Sequence, residues 1–211
     1  SILLRLINQI LKLSKQDKGK LDIELREGDI VEFCRNCFSQ FLQIAHDKQI
    51  QFAFNTNASY ILLLFDAYKM EEILYNLLSN AIKHTEKEDT ITLSVKEERN
   101  NVIICVKDTG SGIDAKEIDK IFDRFYQIRN SQNNSNIGTG IGLHLTRSLV
   151  ELHHGSITVE NNQGTPGCRF IVRLPLGKEH LKPEDIDNSA VKQDSVHITT
   201  ALPTTPLIET P

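Results

Sequence analysis

The stretch Asn76-Leu-Leu-Ser-Asn80-Ala-Ile-Lys83-His84 decides how this chain is read. It ends a run that Asp66, a good N-cap residue, opens as a helix reaching about His84. Met70, Ile73, Leu74, Leu77, Leu78 and Ala81 recur at helical spacing and predict a buried stripe. Asn76, Asn80, Lys83 and His84 then share the flank beside that stripe. Taken alone, this is an ordinary polar helix edge. Two amides and an ammonium in line are nevertheless an unusual choice for a surface that only meets water.

Three further boxes follow in order. Asp108-Thr-Gly110-Ser-Gly112 ends an apolar run, Val102–Lys107, of the kind expected of a central strand. A carboxylate at a strand end can accept a hydrogen bond from an adenine amino group, and adjacent glycines let the backbone approach a flat base. As an isolated signal, Asp-x-Gly is a common turn. Ile121-Phe122-Asp-Arg-Phe125-Tyr126 comes next. Its aromatics either anchor a lid or are core residues beneath a loop, and Gln127 and Arg129 beyond them could reach a terminal phosphate. Gly138-Thr139-Gly140-Ile141-Gly142-Leu143 opens a helix, so its N–H groups and dipole can meet phosphate. It lacks the strand–loop–helix order of a dinucleotide fold, and no Lys-Ser/Thr follows to make a Walker loop. In this order, the boxes describe a pocket holding ATP by its base, its phosphates and a bound Mg²⁺. A neutral amide oxygen such as that of Asn80 suits the metal when ATP supplies the negative charge, and Lys83 suits the phosphates.

Outward from these boxes the chain alternates strands and helices. Strands are predicted at Leu21–Arg26, Ile50–Asn55, Tyr60–Phe65, Thr90–Lys96, Val102–Lys107, Ser156–Asn161 and Cys168–Leu174. Helices are predicted from Asp29 to Lys48, from Asp66 to His84, briefly near Asp114–Phe122, and from Ile141 to His153 with Gly155 as its stop. Residues 1–16 carry a near-heptad seam of Leu3, Ile7, Ile10 and Ser14, either the last turns of a bundle helix or a surface helix of the same domain. Because the chain opens on Ser1 in mid-helix, it reads as an excised piece. Arg129–Asn136 has no apolar residue to anchor it, and a loop of this kind is functional or disordered. Beyond Gly177 the sequence turns polar and proline-dotted and reads as a flexible linker.

Composition narrows the function. The 211 residues suffice for one domain with a core. A net charge of −4 leaves no electrostatic footprint for nucleic acid. Runs such as Tyr60–Phe65 are too short to span a bilayer. Cys34 and Cys37 form a C-x-x-C, but both lie on an apolar helical stripe with Ile30, Phe33, Phe38, Phe41 and Ala45, so buried thiols are the better reading than redox or zinc chemistry. Reduced cysteines suit the cytosol. His153-His154 lacks metal-ligand spacing and reads as a polar helix end, and His144 falls on an exposed face.

These boxes, from Asn76 to about Gly167, resemble the ATP-binding catalytic domain of bacterial sensor histidine kinases, within the GHKL superfamily; the likeness covers roughly residues 20–176. It implies an α+β fold, a two-layer α/β sandwich with a mixed sheet on one side and helices on the other. It implies Mg²⁺-ATP as substrate, with Asn80 as metal ligand and Asp108 as adenine reader. It extends the ATP-binding set to Asn76, Lys83, His84, Gly110, Gly112, Ile113, Phe122, Tyr126, Gln127, Arg129, Gly138, Thr139, Gly140, Ile141, Gly142 and Leu143. Residues 1–18 look like the end of a dimerisation and phosphotransfer helix, 19–177 like the catalytic domain, and 178–211 like a linker toward a receiver domain. The implied partners are a phosphoacceptor-His hairpin domain of the same polypeptide, a response-regulator receiver domain, and a second copy in a full-length homodimer. This part would be cytoplasmic and the parent an inner-membrane sensor.

The departures are informative. ATP-hydrolysing relatives place a water-activating Glu one turn before the metal-binding Asn, where this chain has Asn76. The nearest upstream carboxylate, Glu72, lies roughly 12 Å from Asn80 along the helix axis, and an amide cannot act as a general base. The pocket therefore reads as one that positions a γ-phosphate for a nucleophile brought from elsewhere. None of the seven histidines (His46, His84, His144, His153, His154, His180, His197) has the setting of the family's phosphoacceptor. His84 stands where Tyr is frequent. In Gly164-Thr-Pro-Gly167-Cys168 the first glycine is displaced by one and Cys168 replaces a usual Ser or Thr, a weaker hydrogen-bonding partner.

Overall fold

The computed structural model describes residues 22–127 and 140–181. Strand β1 (Arg26–Asp29) leads into helix α1 (Ile30–Ser39), the short helix α2 (Leu42–Asp47), and strands β2 (Gln51–Thr56) and β3 (Leu62–Phe65). Helix α3 (Ala67–His84) precedes the hairpin β4 (Thr90–Glu98) and β5 (Asn101–Asp108); helix α4 (Gly142–Leu152) precedes the hairpin β6 (Ser156–Asn161) and β7 (Cys168–Pro175). The main sheet runs β2-β4-β5-β7-β6, with β2 parallel to β4 and every other pair antiparallel, while β1 and β3 form a separate antiparallel ribbon. This is the mixed sheet expected.

Alternation in the strands assigns one sheet face to the core. Ile91, Leu93 and Val95 on β4 lie in register with Asp108, Val106 and Ile104 on β5, in that order, and Phe170 and Val172 on β7 continue the last two rows. Apart from Asp108, which is also buried, these form a continuous apolar surface under the helices. Helix α3 buries Met70, Ile73, Leu74, Leu77, Leu78 and Ala81 on it, and α4 buries Leu145, Leu149 and Val150. The opposite face, with Thr92, Ser94, Cys105 and Ile171, is only half covered, which makes the domain two layers rather than three.

Several boundaries differ from the sequence expectation. The strand expected at 21–26 starts only at Arg26, because β3 ends at Phe65 and offers no further ladder partner; Ile23 and Leu25 are still buried, and the Glu24 N–H donates to Asp66 Oδ2 at 3.1 Å. The single helix expected over 29–48 is broken after Ser39. There the Gln40 and Phe41 N–H groups bond three residues back, to Cys37 and Phe38. The apolar stripe continues through the break, burying Phe41 and Ala45, so periodicity alone could not show it. Strand β3 begins at Leu62 rather than Tyr60. The short helix expected near 114–122 is a succession of turns whose N–H groups at Glu117, Lys120 and Asp123 each bond three residues back. Gly155 follows helix α4, but the left-handed residue that stops it is His154 (φ 58°); Gly155 is needed because a Cβ there would collide with the Arg173 carbonyl. The seam in residues 1–16 and the chain from 182 onward lie outside the described residues. Among the described residues, no helix is long and apolar enough to cross a membrane.

His153 is not a loose helix end. It is 4% exposed, and its Nε2 accepts the Asp66 N–H at 3.1 Å while its Nδ1 lies 2.7 Å from the Leu149 carbonyl. Accepting at Nε2 requires the proton on Nδ1, so the ring is neutral and ties the end of α4 to the start of α3. Asp66 caps α3 by accepting from the Lys69 N–H at 3.2 Å and pairs with Lys69 Nζ. Burial works to raise its pKa, but the bonds from Lys69 and Glu24 outweigh that and hold it below the ordinary carboxylate value.

Burial pushes the His153 pKa down, opposed by its bonds to Leu149 and Asp66. In the unfolded chain the imidazole returns to 6.5 and binds the extra proton. Its contribution to stability is therefore complete above that pH and declines as pH falls toward the folded value. Replacing His153 by Ala should cost about 3 kcal/mol, through a cavity and an orphaned Asp66 N–H, measured by denaturant titration. It should also flatten part of the fall in melting temperature between about pH 7.5 and pH 5.5. His84 and His180 shift in the same direction and keep the rest.

The cysteine reading is borne out: Cys34 and Cys37 are buried in α1, and all four thiols are free. Burial raises Cys34 far above its ordinary value and Cys37 to about 11. Ellman's reagent should find Cys34, Cys37 and Cys168 only after denaturant is added, with the half-buried Cys105 as the sole slow reactant in the native chain. Rapid native labelling of two or more thiols would contradict this packing.

Candidate functional site

Helix α3 lays out the site because its stripe is fully committed to the core, which fixes the rotation of its polar flank. Asn76, Asn80 and Lys83 are each half-buried along that flank. At one end, Asn76 Nδ2 donates to Thr146 Oγ1 at 3.3 Å and approaches the Gly142 carbonyl at 3.5 Å; Thr146 Oγ1 also donates to that carbonyl at 2.8 Å. Asn76 is thereby spent on holding the first turn of α4 against α3. At the other end, Gly110 lies so close to the His84 carbonyl that any Cβ would overlap it. Lys48 Nζ also donates to the Ile82 carbonyl at 2.8 Å, placing a cation at the helix C-terminus. Between these clamps, about 12 Å apart along the axis, the side chains of Asn80 and Lys83 have no hydrogen-bond or ion-pair partner among the described residues. A half-buried amide oxygen left unengaged fits a magnesium ligand, and the free ammonium fits phosphate.

Asp108, 3% exposed, ends β5 two residues before the Gly110 that meets the end of α3. Its Oδ1 accepts from the Gly110 N–H at 3.0 Å and the Cys168 N–H at 3.4 Å, and its Oδ2 accepts from the Cys168 thiol at 3.3 Å. Cys168 therefore touches the carboxylate directly. Burial, then the charge and hydrogen bond of Asp108, push its thiol pKa far up, so it remains a donor. Because a thiol is a weak donor, Oδ2 keeps capacity for a second, better one. Thr109 anchors the turn from behind: its N–H donates to the Thr90 carbonyl at 3.0 Å, while its Oγ1 accepts from the Thr90 N–H at 2.9 Å and lies 3.1 Å from Asp89 Oδ1. Crowding by the surrounding chain, then Lys83 and Lys48, hold the His84 imidazole below its ordinary pKa against the pull of Asp108.

The aromatic box divides. Phe122 is buried, edge-on to Phe170 at 6.3 Å, and Tyr126 packs on the core, whereas Phe125 is 64% exposed with φ 62°. Phe125 donates its N–H to the Gly140 carbonyl at 2.9 Å, and a Cβ on Gly140 would come within 2.6 Å of the Phe125 backbone. Gly140, at φ 66°, thus has to be glycine to bring the two ends of the intervening segment together. Gln127 is exposed at the start of that segment; Arg129, Gly138 and Thr139 lie outside the described residues. Ile141 is buried, and Gly142 and Leu143 are half-buried at the start of α4.

Sequence reasoning missed three contributors. His144, expected to be solvated, accepts from Arg124 Nε at Nε2 (3.0 Å) and lies 3.0 Å from the Phe122 carbonyl at Nδ1, pinning the aromatic box to α4. Asn161 and Asn162 both reach the Asp108–Ile113 turn. An asparagine pair after a strand looks like any turn in sequence, so only the register of β6 against β7 reveals them. No group of three or more His, Cys, Asp or Glu side chains among the described residues could hold a metal ion.

Residues 65–178 match the family described as Histidine kinase-, DNA gyrase B-, and HSP90-like ATPase. The chain belongs to this family. Among curated proteins, a histidine kinase of Formosa agariphila is 32% identical over 197 residues, covering 92% of this chain and 14% of that protein. The sensor protein SrrB of Staphylococcus aureus is 31% identical over 171 residues, covering 81% of this chain and 29% of that protein. The chain thus spans less than a third of the length of these relatives. Among solved structures, the catalytic domain of the histidine kinase ThkA superposes with a TM-score of 0.64 at 27% identity, over 72% of this chain and 95% of that one. Full-length ShkA in complex with AMPPNP superposes at 0.72 with 26% identity, over 82% of this chain and 35% of that one. The fold is that of a histidine-kinase catalytic domain, and this ATPase-family domain is an ATP-binding one.

Asp108→Asn in this histidine-kinase-type domain should weaken ATP binding by roughly 30-fold in calorimetry, since the amide cannot offer two acceptor oxygens. Cys168→Ser, which keeps a donor on Oδ2, should stay within about threefold of wild type. A Cys168→Ser variant as weak as Asp108→Asn would show that the thiol does more than hydrogen-bond.

Proposed function

We propose that this chain is the catalytic domain of a two-component sensor histidine kinase, binding Mg²⁺-ATP and presenting its γ-phosphate to a histidine on a separate phosphotransfer domain. Asp108 accepts a hydrogen bond from the adenine amino group, Gly110 and Gly112 admit the base, and Lys83 neutralises phosphate charge. Gly140 to Gly142 at the N-terminus of α4 face the phosphates, with Gln127 toward the terminal one; Arg129, Gly138 and Thr139, outside the described residues, are assigned to phosphate binding from their motif alone. Asn80 would hold magnesium, which would supply positive charge to offset that of the phosphates.

The observation that carries this reading is Asn76. It occupies the position from which a carboxylate could activate water, and its amide is engaged by Thr146 and Gly142. With an amide instead of a carboxylate one turn before Asn80, that position activates no water, and the terminal P–O bond breaks as an imidazole nitrogen approaches in line. The N–P bond forms at that histidine and ADP departs. Relatives named as sensor proteins and histidine kinases support the two-component setting. On the same support we assign residues 1–18 to the end of the phosphotransfer helix, 19–177 to the catalytic domain and 178–211 to a linker. We further assign a receiver domain as downstream partner, a homodimeric parent and a membrane-anchored sensor as the whole protein.

Incubated with radiolabelled ATP and magnesium, the 211-residue chain should bind nucleotide yet acquire no acid-labile label. Adding a hairpin domain bearing a phosphoacceptor histidine should produce label on that domain. Stable self-labelling of this chain, or steady phosphate release without an acceptor, would overturn the assignment.

A further inference from the structure

The turn from Asp108 to Ile113 contains two glycines, and a Cβ at Gly112 (φ 69°) would stand 3.2 Å from Asn161 Oδ1. A glycine-containing segment of this kind has many conformations to lose when it closes on a base. In this structure it is held at both ends by one element, the turn joining β6 to β7. Asn161, the last residue of β6, accepts the Ile113 N–H on Oδ1 at 2.9 Å and donates from Nδ2 to the Ile113 carbonyl at 2.6 Å. The side-chain amide thus satisfies both backbone groups of Ile113, as a neighbouring strand would. Asn162 donates from Nδ2 to the Asp108 carbonyl at 2.7 Å and to the Pro166 carbonyl at 2.7 Å, and its N–H closes the turn onto Gly167. Those two Nδ2 bonds fix which way the amide faces. Gly167 lies against the Asp108 backbone so closely that no Cβ fits.

The same turn therefore grips Asp108 twice. Asn162 holds its main-chain carbonyl, and Cys168 holds its carboxylate. We infer that Asn161 and Asn162 are positioning residues that set base specificity: they lock the Asp108–Ile113 turn in the shape that reads adenine before nucleotide arrives. The inference rests on the assignment of Asp108 as the base reader. The hydrogen bonds of both asparagines go to Ile113, Asp108, Pro166 and Gly167 and not to the flank bearing Asn80 and Lys83, so contacts to phosphate are independent of the lock. Released, the turn would have to be ordered by the base itself, and the cost would fall on recognition of adenine alone.

The test measures ATP and GTP binding by calorimetry on the wild-type chain and on Asn161→Ala, Asn161→Asp and Asn162→Ser, with thermal melts of each. Asn161→Asp keeps the acceptor for the Ile113 N–H but sets an acceptor against the Ile113 carbonyl, so it should behave like Asn161→Ala. Each variant should bind ATP about five- to tenfold more weakly with GTP affinity unchanged, so the ATP-to-GTP ratio falls by that factor. Gln163→Ala, an exposed change in the same turn, should leave the ratio at the wild-type value. Variants that melt earlier while keeping the wild-type ratio would make the asparagines structural only and overturn the proposal. Equal weakening of ATP and GTP would do the same. If Asn161→Ala does not fold, Asn162→Ser decides by the same ratio. A wild-type chain that binds both nucleotides equally would remove adenine reading by Asp108, and the lock with it, whereas an intact wild-type preference isolates the failure to the asparagines.

Discussion

The closeness of Gly110 to the His84 carbonyl is the constraint on which the site depends. It brings the strand-end turn carrying Asp108 onto the last turn of α3, with no side chain between them. Helix α3 cannot yield to make more room. Its apolar face is fully buried, Asp66 caps its first turn, and the Lys48 ammonium bonds a carbonyl near its last. The carboxylate and the amide-bearing flank are thus held at a fixed separation before any ligand binds, and preorganisation of this kind lowers the ordering cost of binding.

The chemistry follows from what the flank omits. A carboxylate placed one turn before Asn80 would be desolvated beside phosphate and would accept a proton from water. Asn76 cannot, and its amide is committed to Thr146 and Gly142. On the proposed reading, the pocket's catalytic value lies in holding charge and geometry, the terms that dominate phosphoryl transfer. The side chains of Asn80 and Lys83, unpartnered among the described residues, and the single thiol on Asp108 Oδ2 belong to the same logic, since each leaves capacity that a nucleotide can fill.

Around this rigid centre, tertiary contacts recruit residues that carry no motif. His153 crosses from α4 to the cap of α3, and His144 ties Phe122 and Arg124 to the first turns of α4. Asn161 and Asn162 stitch the last hairpin to the Asp108 turn. Each is an ordinary polar residue in sequence, at a helix end, on a helix face or in a turn. Their roles exist only because elements distant along the chain meet.

By itself the sequence determined the alternation that buries one face of the sheet, the stripe that orients α3, the Asp66 cap and the order of the glycine boxes. These are local properties, governed by side-chain period and backbone freedom over a few residues. Tertiary structure alone decided where β1 finds a partner, why the helix breaks after Ser39 while its stripe runs on, and that Gly155 is required by the Arg173 carbonyl rather than by its own φ. It also decided which of the aromatics belongs to the core and which stands exposed at φ 62°. The physical reason is common to all: hydrogen-bond partners and steric neighbours supplied from far along the chain cannot be read from period or propensity.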